Sequence, residues 1–145
     1  MVEFAFVFPL LFFLIYGTVV YSYVFVVQSS LNFAAEQAAQ SAVAVSPSAA
    51  GYDSEVANQA TVTVNKLLSW LPAAPRTLSI NSRGTEKATA ACTLANGVSA
   101  PGPSVVIVTI CFDIRQMFSQ ITIPGVGAAP PLPSKLSAQA TVRII

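Results

Sequence analysis

The residues from Met1 to about Val27, MVEFAFVFPLLFFLIYGTVVYSYVFVV, constrain everything that follows them. This stretch holds a single charge, Glu3, and the next charged residue is Glu36. About 20 apolar residues in helical form cross the hydrocarbon of a bilayer. The run is long enough for that and too long for the apolar core of a secretory signal peptide. Such a segment has to lie in lipid or against other apolar helices, so the chain is expected to be organised around an apolar N-terminal helix.

Two features set this helix apart from an ordinary anchor. Glu3 has no basic residue within sequence reach, because the first Lys or Arg is Lys66. It either lies at headgroup level, favoured by the positive end of the helix dipole, or pairs with a free α-amino group, its own or that of a neighbouring copy. Single-pass proteins orient by Lys and Arg on the cytoplasmic side, and none precedes this helix. That pattern fits a chain whose basic leader has been removed. Pro9 lies inside the helical stretch, where proline removes a backbone bond and crowds the preceding turn. It reads either as a harmless kink or as a preset point at which the helix bends when subunits pack. Gly17 allows close helix approach, and Tyr16, Tyr21 and Tyr23 fall where an interfacial aromatic belt is expected.

The run Met1-Val2-Glu3-Phe4-Ala5-Phe6-Val7-Phe8-Pro9-Leu10-Leu11 resembles the start of TadE-like pilins, the pilin-like subunits of the tight-adherence branch of type IV pili. The shared pattern is Val-Glu-Phe-Ala, then an apolar-Pro-Leu-Leu, then a long apolar run. The resemblance extends to about Val45; beyond it there is only a looser order of helix, strands and an Ala-Thr-Val-Arg ending at Ala140–Arg143. It implies processing by a prepilin peptidase, an inner-membrane precursor, and packing of helix against helix in an extracellular pilus. It also implies that Glu3 meets the α-amino group of a neighbour, Met1 in this numbering. The expected partners are further copies of the chain or other pilins. Length favours a minor subunit, since the family's usual major pilin is much shorter.

Gln28 to Val45 is Ala-rich and continues the helix, with Leu31, Ala34, Ala38, Ala42 and Val45 on one face. Ser46-Pro47-Ser48 is expected to end it. The chain thus divides into an N-terminal helix, 1–46, and a globular head, 47–145. A second helix is expected over 53–71, capped by Asp53 or Ser54, with an apolar stripe of Val56, Ala60, Val64, Leu67 and Leu71. Strands are expected at about 77–81, 87–94, 104–112 and 136–145. Residues 104–112 are apolar on both faces, as in a covered central strand. Residues 124–133, PGVGAAPPLP, are expected to form an irregular surface loop. The fold class is α+β: a pilin-like arrangement of a long apolar helix, a second helix and a small antiparallel sheet.

Cys92 and Cys111 are an even pair in a region expected outside the cytoplasm, which favours a disulfide. A hairpin of 87–94 with 104–112 would set them opposite each other. No Cys-x-x-Cys spacing suggests a metal or redox site, and histidine is absent. The acids are scattered, and no phosphate loop or nucleophile elbow occurs. The chain reads as a non-enzyme without cofactor. Its net charge of +1 gives no indication of a nucleic-acid partner. The rival reading is a single-pass anchor carrying an extracytoplasmic binding domain; a filamentous-virus coat protein fits less well because the head is large.

Overall fold

The computed structural model describes residues 2–48, 50–73, 76–82, 85–88, 104–117, 121–123, 127–129 and 132–144; side-chain surroundings are described for these except 2, 3, 5, 85–88, 121–123 and 127–129. The fold is α+β. One helix, α1 (Val2–Val43), runs for 42 residues, about 63 Å at the α-helical rise. It is continuous through Pro9. Its end precedes Pro47: Ala44 and Val45 donate to the carbonyls of Ser41 and Ala42 over 3.3 and 3.4 Å, a tightened last turn.

The second helix, α2 (Tyr52–Leu67), starts and ends earlier than 53–71. Its N-cap is Gly51, not Asp53 or Ser54. Gly51 has φ +82°, a left-handed conformation that a side chain would resist. The Ser54 hydroxyl instead donates to the Gly51 carbonyl (2.6 Å), and Asp53 accepts from the Ser82 hydroxyl (2.6 Å), fastening the start of α2 to the end of a strand. The buried stripe is Tyr52, Val56, Ala60, Val64 and Leu68, then Leu71, so Leu68 takes the inward place expected of Leu67, which is half-buried. Thr61 and Thr63 are held in helix by hydroxyl bonds to the carbonyls of Ala57 and Gln59.

The strands are β1 (Arg76–Ser82), β2 (Thr85–Ala88), β3 (Val105–Asp113), β4 (Ile121–Ile123), β5 (Gly127–Ala129) and β6 (Lys135–Arg143). Four of them form an antiparallel sheet in the order β2-β1-β3-β6. Thus β3 is central, but its neighbours are β1 and β6. Of the expected hairpin of 87–94 with 104–112, residues 89–94 lie outside the described residues; the described part, β2, pairs instead with β1, with Ser82 opposite Thr85, and β1 and β6 take both edges of β3. The physical reason is that β1 offers Leu78 and Ile80 opposite Ile110 and Val108, and this apolar match completes the core.

The second correction concerns residues 124–133. Gly127–Ala129 is a strand, paired antiparallel with β4 through Ile121↔Ala129. The prolines of this stretch lie outside those three residues, so the three backbone N–H groups remain available for a ladder.

The core lies between one sheet face and the two helices. Val106, Val108, Ile110 and Phe112 of β3 are fully buried there, with Leu136 and Ala138 of β6, and with Leu31, Ala34, Ala35, Ala38, Ala39 and Ala42 of α1. Alanines on both α1 and β6 let the helix come close to the sheet. Along β6, the side chains from Leu136 to Ile144 alternate between inward and exposed, as expected for a half-covered strand.

Candidate assembly surface

The two ends of α1 have different surroundings. From Leu31 to Ala42 one face is sealed inside the head. From Phe4 to Val26, every described large apolar side chain is exposed except buried Val20 and half-buried Tyr23 and Val24. Phe6 is 77 % exposed and Phe25 is 74 % exposed. Full burial of one such side chain stabilises by about 1.5–3 kcal/mol. The uncovered set therefore represents on the order of tens of kcal/mol, far beyond the patches that soluble monomers carry. Of the described helices, this one is long and apolar enough to cross a membrane, over Phe6–Val43.

Three hydroxyls along this part of α1 are satisfied by the helix's own carbonyls. The Thr18 hydroxyl donates to the Leu14 carbonyl (2.8 Å), Ser22 to Thr18 (2.7 Å) and Ser30 to Val26 (2.9 Å). They therefore present no unsatisfied donor to an apolar neighbour. Aromatic rings run along the helix at four-residue spacing: Phe4 stacks on Phe8 (centroids 6.0 Å) and Phe12 on Tyr16 (6.3 Å). A Cβ built on Gly17 would meet nothing within 4 Å, so space beside this glycine is open in the isolated chain. Pro9 lies in the uncovered part, where its missing N–H leaves the carbonyl four residues earlier without a helical donor. Glu3 is in the first turn of α1, and Met1 lies outside the described residues.

The head grips the helix through contacts that periodicity alone did not single out. Gln28 donates from Nε2 to the Ser137 carbonyl of β6 (3.0 Å) and to Asn32 Oδ1 (3.4 Å). Arg76, the first residue of β1, donates to the Leu68 carbonyl (3.1 Å) and to Asn65 Oδ1 (2.8 Å), closing the C-terminal end of α2. Partial burial lowers its pKa below the usual arginine value, and a guanidinium starts so high that it stays charged. A cation at that helix end is favoured by the dipole. The signal available for Arg76 was a lone Arg just past the helix, after Pro72 and Pro75. On α1, Phe33 faces outward and lines a shallow groove with Leu67 and Trp70; no amphipathic pattern indicates that groove.

Of the two cysteines, Cys111 is buried on β3, opposite Thr77 and Ser137. Cys92 lies outside the described residues, and so does its expected pairing. Asp113 acts through its side chain at the end of β3. Its Oδ1 accepts from the Arg115 backbone N–H (3.0 Å) and caps the short 3-10 turn Ile114–Gln116.

Comparison with known proteins returns one result. No curated protein and no solved structure matches the chain. The model of the TadE-like protein family matches residues 1–40, which are the uncovered part of α1 and most of the part that enters the head. Over those 40 of its 145 residues, the chain is similar to TadE-like proteins.

Proposed function

We propose that this chain is a structural subunit of a Tad-like type IV pilus, held in the inner membrane by α1 before assembly and then drawn into an extracellular filament that serves surface attachment. The observation that carries this reading is the division of α1. One uninterrupted helix is uncovered and apolar over its first half and built into a head over its second half. The TadE-like match falls on that same helix. Lipid can cover the uncovered half in the precursor, and neighbouring α1 helices can cover it in the filament. No catalytic or cofactor role is part of this reading.

In the filament, Glu3 is placed among apolar helices, where a carboxylate without a counter-charge is heavily penalised. The α-amino group of a neighbour is the cation that pilin resemblance supplies. Glu3→Gln is then expected to insert into the membrane like the parent chain while filament yield falls. Electron microscopy of sheared filaments, with mass spectrometry of the same material, reads both the yield and the share contributed by this chain. Unchanged filament yield from Glu3→Gln would refute the pairing. A chain that remains wholly in the membrane fraction while filaments form would instead favour an anchored binding domain.

A further inference from the structure

The base of the head, where α1 enters it, combines an exposed tryptophan with basic side chains. We infer that this base is a docking surface for the anionic lipid headgroups of the bilayer that α1 crosses. The inference rests on the membrane-spanning reading of α1 given above.

The position of the base follows from α1 itself. Between Val20 and Val27 the helix has two sides. Val20 and Val27 are buried against the head, while Tyr21, Phe25 and Val26 are uncovered on the other side. Hydrocarbon that covers Phe25 and Val26 therefore reaches the underside of the head. The groove of Ser29, Ser30, Phe33, Leu67 and Trp70 begins three residues beyond Val26 and ends seven beyond it, about 5–10 Å along the axis. The headgroup layer on each side of the hydrocarbon is about 5–8 Å thick. Trp70, half exposed in that groove, thus falls in the layer that tryptophan favours.

The same pole gathers the cations. Leu136 lines a second groove with Tyr21, Phe25 and Gln28, which places its exposed neighbour Lys135 at the level of the last uncovered turns. Lys135 pairs in register with Asp113, after which exposed Arg115 and Met117 follow. Exposed Lys66 lies one turn before Trp70. The opposing acids are accounted for. Asp113 offsets one of these cations, lying opposite Lys135 as well as accepting from the Arg115 backbone N–H, and Glu36 stands on α1 one turn beyond Phe33, farther from the bilayer. Arg76 is turned inward onto the end of α2. Long basic side chains with apolar stems suit the interface, and their attraction to anionic lipid is electrostatic.

Trp70 is the sole tryptophan of the chain, so its fluorescence reports this surface directly. The full chain is reconstituted into vesicles of phosphatidylcholine alone and of phosphatidylcholine mixed with phosphatidylglycerol, and acrylamide quenching is measured. The expected result is quenching reduced about threefold in the anionic vesicles, with a blue-shifted emission, and reversal in 1 M salt, where the Debye length is ~3 Å. K66Q/R115Q/K135Q is expected to abolish the difference between the two lipids. Equal quenching in both vesicles overturns the proposal. Protection that depends on protein density instead of lipid charge also overturns it, since a second copy would then be the occupant. Alkaline extraction of the same vesicles separates the two readings. A chain that is stripped off refutes the spanning helix, whereas an inserted chain with a fully quenchable Trp70 refutes the docking surface alone.

Discussion

Replacing Ala38 by leucine tests whether the alanines of α1 are chosen for helix propensity or for close approach. Leu is almost as good a helix former as Ala, so propensity alone makes the change cost a few tenths of a kcal/mol. Packing gives a different answer. Ala38 is fully buried, between Ala34 and Ala42 on the helix face that meets α2, β3 and β6. Ala34, Ala35 and Ala42 around it are equally buried, so little volume can be given up locally. Overpacking of this kind costs about 1–3 kcal/mol. For a head of this size, that corresponds to a drop in Tm of roughly 4–20 °C. Gln40→Leu is the control: it places the same side chain on the exposed face of the same helix, where changes stay within about 0.5 kcal/mol. The assay is thermal unfolding in detergent, followed by Trp70 fluorescence and by near-ultraviolet circular dichroism, with coincidence of the two probes as the check on two-state behaviour. If A38L melts together with the parent and the Q40L control, the close-packed interface between α1 and the sheet is wrong.

Two further perturbations address the head. Arg76→Met keeps the apolar stem and removes the donors to the Leu68 carbonyl and Asn65; it is expected to cost about 1–2 kcal/mol, less than a fully buried charged bond because the group is partly solvated. Hydrogen exchange should accelerate first in the last turn of α2. For the cysteines, the expected bridge from Cys92 to Cys111 predicts that intact protein from an oxidising compartment resists alkylation until reduced. Reduction should destabilise the head by roughly 3 kcal/mol in the chain-entropy model; two freely alkylated thiols in the unreduced native protein would refute the pairing.

What was legible beforehand depended on whether a local pattern carried the information. The apolar run of α1, the alternation of β6 and the two-sided apolarity of β3 are local properties, and each predicts its environment from spacing alone. The inward side of α2 was less well defined because Leu67 and Leu68 are adjacent: two apolar residues in a row satisfy either drift of the helical period, and packing against α1 selects Leu68. Strand partners were not legible. Neighbouring strands usually pair, which favoured 87–94 beside 104–112, yet β1 reaches across the intervening chain because its Leu78 and Ile80 complete the core. The start of α2 departs from the expected caps for a related reason. Asp53 and Ser54 are good caps in isolation, but the chain turns at Gly51 through a conformation that only glycine adopts easily, and Asp53 is left to bind Ser82. Of the residues expected to act in assembly, Pro9 and Gly17 lie on the part of α1 that the head leaves uncovered. The groove at Trp70 was not foreseeable, since its three apolar members come from two helices and the turn that follows one of them.

One helix serves as both stem and core element, with no linker between these tasks. The azimuth of the head about the stem is therefore set by residue count. Adding or removing one residue between Tyr21 and Val27 would swing the head by about 100° and shift it about 1.5 Å along the axis. Any array of stems in register would consequently present the same head face at every site, and a torque applied to the stem would reach the outer surface without being absorbed on the way.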